Sequence, residues 1–200
     1  MKLGILGGTF DPIHFGHILM AQAALDEVAL DRVLLLPGGD PPHKTPHAPK
    51  ADRLHMVRLA ADTDERFLVS DMELKRAGRT YTVDTLLQLR DEYPHAQLTY
   101  IVGSDTLMLF PSWKDAERVA TLCDMAVVLR PGDSQEAVQG TIAQYHETLG
   151  LHAVLLRFTG PDISSTAIRS AAQIGLPLDG LVPEAVAGYI RDKGLYRLAG

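Results

Sequence analysis

Short apolar runs alternate with helical patterns along almost the whole of this chain, and that alternation restricts the fold more than any other feature. The strand candidates are Lys2–Leu6, Arg32–Leu36, Phe67–Ser70, Leu98–Val102, Ala126–Leu129 and Ala153–Arg157. Between them lie helix candidates at His17–Ala29, Ala51–Ala61, Val83–Glu92, Trp113–Thr121 and Ser134–Leu149. Strands this short and this continuously apolar are buried on both faces, and each intervening helix supplies the crossover that parallel neighbours require. The expectation is an α/β fold, a doubly wound parallel sheet with helices on both faces. Two more helices close the chain, Ser164–Ile174 and Pro183–Lys193. The second has Pro early in its first turn and Gly194 just past its end, as a helix boundary favours. At 200 residues the whole chain, 1–200, fits one domain, able to bury about 70% of its unfolded surface.

Composition narrows the function. A formal charge of −6 argues against a nucleic-acid binder that works by broad phosphate neutralisation, although a local positive pocket remains open to an acidic protein. Cys123 is the single cysteine, which excludes an intramolecular disulfide and a multi-cysteine metal site; in LCDMAVV it reads as a small buried apolar residue. The N-terminus enters a strand at once, and no apolar run approaches the ~20 residues that cross a bilayer. The expectation is a cytoplasmic protein with no membrane and no nucleic-acid partner; a homo-oligomer is compatible with the sequence.

The most informative stretch is Gly7–His17, GGTFDPIHFGH, directly after the first strand. Glycines let the backbone approach an anion, and the first N–H groups of the following helix are unpaired donors at the positive end of its dipole. His14 and His17, three residues apart, share one face of the first turn and can both donate to phosphate oxygens. Read alone, the Gly pair also suits a plain strand-to-helix turn, and the histidines also suit a metal site, although no third or fourth ligand stands at a recognisable spacing. The stretch is neither a Walker A loop nor a dinucleotide fingerprint.

Ligands of an open parallel sheet bind beyond the carboxyl ends of its strands. The segments there are Gly7–His17, Pro41-Pro42-His43-Lys44, Gly103-Ser104-Asp105-Thr106, Arg130-Pro131-Gly132 and Ile163-Ser164-Ser165-Thr166-Ala167-Ile168-Arg169. Each has a bland reading: Lys44 as a solvated surface lysine, Asp105 and Ser164–Thr166 as helix caps. Together, two hydroxyl- and glycine-bearing helix starts plus a lysine favour a nucleoside polyphosphate. The long Pro-, Gly- and His-rich connection Pro37–Lys50 is of a length more often functional than decorative; it is the candidate segment for closing on substrate, although its prolines equally suit a stiff connection.

Gly8-Thr9-Phe10-Asp11-Pro12, His14 and Gly16-His17, with Ile163-Ser164-Ser165-Thr166 and Arg169, resemble the two signatures of the HxGH-type nucleotidyltransferases. Along nearly its full length the chain is similar to the bacterial nicotinate-mononucleotide adenylyltransferases, through PPHK (Pro41–Lys44), GRTYTVDTL (Gly78–Leu86), IVGSDTLMLFPSWKD (Ile101–Asp115) and the closing PEAVAGYIRDKGLY. The resemblance implies a Rossmann-like fold and adenylyl transfer from ATP to nicotinate mononucleotide, with the closing helices completing the ATP site and packing on the sheet. It implies His14, His17, Lys44 and Arg169 as the catalytic group. Gly8, Thr9, Phe10, His17, Gly103, Asp105, Ile163, Ser164, Ser165, Thr166 and Arg169 would bind ATP. Lys44, Tyr81, Thr82, Trp113 and Arg130 would bind the acceptor, with Trp113 stacked on the nicotinate ring; without the resemblance Trp113 reads as a packing aromatic. Mg²⁺ would be held through the ATP phosphates, with no protein side chain as its ligand. The rivals are a nicotinamide-mononucleotide or phosphopantetheine adenylyltransferase, a non-catalytic nucleotide sensor, and a two-histidine metal hydrolase.

Overall fold

The computed structural model describes residues 1–39 and 45–197. Its parallel strands are β1 (Lys2–Gly8), β2 (Arg32–Pro37), β3 (Phe67–Val69), β4 (Gln97–Gly103), β5 (Asp124–Leu129) and β6 (Ala153–Thr159), in the spatial order β3-β2-β1-β4-β5-β6. β1 pairs in parallel with β2 on one side and β4 on the other. The winding reverses between β1 and β4, which opens a crevice at their carboxyl ends, as in Rossmann-like sheets.

The helices are α1 (Phe15–Glu27), α2 (Lys50–Ala61), α3 (Met72–Lys75), α4 (Thr82–Glu92), α5 (Ser104–Met108), α6 (Ala116–Leu122), α7 (Gln135–Leu149), α8 (Ser165–Gln173) and α9 (Glu184–Lys193). Strand residues alternate between two cores. Val33 and Leu35 join one core with Met56 and Val57 of α2 and Ile168 of α8, while Leu34 and Leu36 join the other with Leu86 of α4 and Val119 of α6. Both faces are therefore apolar, which is why β2 reads as an unbroken hydrophobic run. Each such side chain, fully buried, contributes about 1.5–3 kcal/mol. Among the described residues, no helix is long and apolar enough to cross a membrane.

The expected elements are present with shifted ends. α1 begins two residues before the expected His17 and stops at Glu27, because Ala29 turns left-handed at φ +51°. The expected helix Trp113–Thr121 is broken. A 3-10 turn at Phe110–Ser112 leads into Trp113, and Asp115 adopts φ +54° before α6 begins at Ala116. Two short helices complete the set: α5, implicit in the reading of Asp105 as a helix cap, and α3, whose four residues are too few for periodicity to reveal. Gly150 and Gly194, at φ +68° and +62°, end α7 and α9.

Candidate active site

The turn after β1 is held by its own residues. The Gly38 N–H donates to the Gly8 carbonyl at 2.8 Å, extending the β1–β2 contact past the last strand residues. Phe10 sits at φ +48°, a conformation costly for a non-glycine residue. Its ring is buried and meets the His17 ring edge-on at 5.0 Å, so packing holds the strained backbone in place. His14 occupies the N-cap position of α1 in extended conformation, and the His14 and His17 rings stack with centroids 3.7 Å apart. Gly16 explains the spacing between them: a Cβ there would press on the His14 ring at 2.9 Å.

The two histidines differ in protonation. His14 is 4% exposed, and burial, with the Arg130 guanidinium as a second cause, pushes its pKa down to about 4. Its Nδ1 is buried with no hydrogen-bond partner among the described residues, so a second ring proton would add an unsatisfied donor. His14 is thus neutral at pH 7. His17 Nδ1 accepts the His14 backbone N–H at 3.3 Å. A backbone N–H can only donate, so neutral His17 carries its proton on Nε2, the nitrogen that can donate to a phosphate oxygen.

The second motif meets the first directly. Ser164 caps α8 by accepting the Ala167 N–H at 3.2 Å, so its helix-cap role stands. Ser165 Oγ donates to the Pro12 carbonyl at 2.9 Å, and Arg169 Nη1 donates to the Asp11 carbonyl at 2.9 Å, across 153 and 158 residues of sequence. The other end of the Arg169 fork reaches Thr166 Oγ1 at 3.2 Å. A guanidinium anchored at both ends is a pre-aimed charge for an anion.

These parts wall a cleft of about 720 Å³ that also takes in Thr9, Asp105, Arg130 and Ile163. Asp105 does not cap α5, whose N-cap position is Gly103; it pairs with Arg130 at 3.2 Å. A Cβ on Gly103 would meet the ends of these two side chains, which would have to shift to admit it. Arg130, expected beside the acceptor, lines the cleft with the histidines. Ser104 is wholly buried: it donates to Asp133 Oδ2 at 2.6 Å and accepts the Arg130 N–H at 2.9 Å, joining the ends of β4 and β5. Gly8 and Phe10 shape the turn without lining the cleft.

The remaining acceptor candidates form a second group. Tyr81 is the N-cap residue of α4 and Thr82 its first residue, so this helix start is presented as expected. Lys114 lies 4.5 Å over the Tyr81 ring and bonds Asp84 at 3.1 Å. Trp113 is half-buried and meets Tyr100 and Phe110 edge-on at 5.7 and 5.5 Å. Burial pushes the Tyr100 hydroxyl beyond its ordinary range, and Thr82 hydrogen-bonds it. Lys44, with Pro41, Pro42 and His43, lies outside the described residues.

Two buried polar positions, Asp11 and Arg53, have no role assigned by the motif reading. Asp11 accepts the His47 N–H at 2.7 Å, the Ala48 N–H at 3.0 Å and the Tyr196 hydroxyl at 2.9 Å. Burial would raise its pKa, but those bonds outweigh burial and hold the carboxyl below its ordinary range. Arg53 is fully buried on the face of α2 that carries Met56, Val57 and Ala60. An arginine at i before apolar residues at i+3, i+4 and i+7 was a legible signal of a buried cation.

Another groove, of about 920 Å³, runs beside α8 and α9. It contains neither histidine of the first motif nor any residue of the Ser164–Arg169 segment. No group of three or more His, Cys, Asp or Glu among the described residues could hold a metal ion.

A parallel sheet in the order 3-2-1-4-5-6, with two helix starts and an anchored arginine closing on its switch point, defines a Rossmann-like protein built to grip a polyphosphate. Residues 5–171 match the cytidylyltransferase-like family model. A probable nicotinate-nucleotide adenylyltransferase of a Synechococcus strain is 44% identical over 199 residues, covering 98% of this chain and 96% of that protein. One from Chromobacterium violaceum is 39% identical over 209 residues, covering 98% and 99%. The solved structure of Plasmodium falciparum nicotinic acid mononucleotide adenylyltransferase complexed with NaAD superposes with a TM-score of 0.80 at 17% identity, covering 98% of this chain and 97% of the other. The chain belongs to the cytidylyltransferase-like family and, within it, to the nicotinate-nucleotide adenylyltransferases.

Proposed function

We propose that this protein transfers the adenylyl group of ATP to nicotinate mononucleotide, releasing pyrophosphate and forming nicotinate adenine dinucleotide in NAD biosynthesis. The observation that carries this reading is the direct bonding of the two motifs, Ser165 to Pro12 and Arg169 to Asp11, around one cleft that holds both histidines and Arg130. The full-length relatives named for this activity support it.

The chemistry asks little proton transfer of the protein. The acceptor's phosphate is already anionic and attacks the α-phosphorus of ATP in line; the P–O bond to the β-phosphate breaks, and its electron pair leaves with pyrophosphate. Catalysis is then positioning and charge stabilisation. In this reading His17 Nε2–H donates to the phosphate undergoing attack, and neutral His14 donates beside it as a dipole. The α8 start and Arg169 hold the β- and γ-phosphates, the turn at Thr9 contributes backbone N–H groups, and Lys44 neutralises charge between donor and acceptor. The Asp105 carboxylate is a natural partner for a ribose hydroxyl. Mg²⁺ would lower the charge of the triphosphate, held by its oxygens, which fits a cleft rich in donors and without a carboxylate cluster. Tyr81 and Thr82, at the α4 start, suit the free carboxylate of nicotinate, with Trp113 beside its ring. We place the reaction in the cytoplasm, with its ATP supply.

Pyrophosphate release across a panel of acceptors tests the reading. It is expected with ATP, Mg²⁺ and nicotinate mononucleotide together, and equal release with phosphopantetheine or nicotinamide mononucleotide would overturn the acceptor assignment. Trp113→Ala is expected to raise the acceptor KM roughly 3–10-fold, the scale of one aromatic stack, with the ATP KM unchanged. A shift in the ATP constant alone would remove Trp113 from the acceptor site.

A further inference from the structure

We propose that Arg53 is a positioning residue: its guanidinium clamps the phosphate-binding turn of the first motif to the root of the Pro- and His-rich connection after β2, and so sets the distance between the two substrates. The inference rests on the adenylyl-transfer reading above and assigns a role to a residue outside both motifs.

A buried arginine is costly unless its donors are satisfied, so the destinations of its N–H groups are informative. Arg53 is 0% exposed. Nη1 donates to the Thr9 carbonyl at 2.7 Å and to the Gly38 carbonyl at 2.8 Å, and Nη2 reaches the Gly39 carbonyl at 3.3 Å. Thr9 belongs to the turn that lines the triphosphate cleft. Gly38 and Gly39 are the last two described residues before the segment that carries Lys44. These acceptors lie on two connections that diverge from neighbouring strands, and one rigid fork spans both.

Both flanks of the clamp are braced. A Cβ on Gly39 would strike the Glu73 carbonyl, so the root is gripped between Arg53 and α3 with no room for a side chain. On the other flank, α2 is pinned by α9: Tyr189 Oη donates to Asp52 at 2.7 Å, and its ring lies 4.3 Å from that of His55. Attack at phosphorus needs the reacting atoms in line at roughly 3–3.5 Å, and a misplacement of about 1 Å can cost 10²-fold. A residue that ties the ATP turn to the root of the connection carrying Lys44, which the proposed reaction sets between donor and acceptor, bears on that distance without touching either substrate.

Arg53→Lys keeps the charge and loses the fork, and Gly39→Ala pushes the root away from an unaltered Arg53. For each, binding of a non-hydrolysable ATP analogue and of the acceptor is measured separately by calorimetry, and kcat by pyrophosphate release, using whichever acceptor of the panel the unmodified protein adenylylates best. Both variants are expected to bind each substrate within about threefold of the unmodified protein and to lose roughly 10–100-fold in kcat. A folded variant with kcat within threefold of the parent would overturn the clamp, as would a loss confined to substrate affinity. Failure of both variants to fold would make Arg53 a stability element and equally overturn the proposal. Failure of the parent reading is distinguished by the unmodified protein itself, which would then not prefer nicotinate mononucleotide; an unmodified protein that adenylylates nothing sinks both.

Discussion

His17→Ala is expected to lower turnover by roughly 10²–10³-fold, the scale for removing one preorganised charge-stabilising donor, while the fold persists. The His14 N–H fixes His17 Nδ1 as an acceptor and thereby leaves the proton on Nε2. Stacking on His14 and the edge contact with Phe10 hold the ring without cost at the moment of reaction. His17→Asn separates the two nitrogens. Its amide oxygen can still accept the His14 N–H, but no donor reaches the place of Nε2. It should therefore match the stability of the parent and still lose most of the turnover. Steady-state pyrophosphate release and urea unfolding on the same samples decide the matter, and near-native turnover in His17→Asn would take Nε2 out of the mechanism.

The second large effect is on stability in mild acid. The His14 pKa falls from its ordinary 6.5 to about 4 in the fold, through burial first and the nearby Arg130 second. Between those values the unfolded chain binds a proton that the folded chain refuses, so stability rises with pH. The contribution is complete above pH 6.5 and is lost as pH falls through the window to about 4, at about 1.4 kcal/mol per pH unit and about 3 kcal/mol in all. The low-lying carboxyl of Asp64, at about 2 through its bonds to Arg66, acts below this window. Glu73, raised by burial, acts with the opposite sign. The difference between the unmodified protein and His14→Asn cancels both. Urea unfolding from pH 4 to 7 should show the parent steeper than the variant by that amount, and parallel curves would mean that His14 takes up its proton in the folded state.

What could be read from the sequence was whatever repeats locally. β2 announces itself because Val33 to Leu36 feed two cores at once, and α9 because Pro183 and Gly194 bracket it. The helix drawn through Trp113 failed because apolar spacing says nothing about a left-handed residue such as Asp115, which interrupts it just before α6. The cleft follows the same division. Its two motifs were visible as strings, and so was their convergence at the ends of parallel strands. The pairing of Arg130 with Asp105 was not visible, because two charges 25 residues apart carry no mark of their partner. Asp11 is part of the most conspicuous motif of the chain, yet the string assigns it no role, since its partners are backbone N–H groups and a tyrosine 185 residues away.

That carboxylate has a consequence for how the turn after β1 answers to the rest of the protein. Asp11 draws together His47, Ala48 and Tyr196, which lie 36, 37 and 185 residues away. Whatever loosens the segment after α9 therefore loosens that turn as well, so the cleft is coupled to contacts that never meet a substrate.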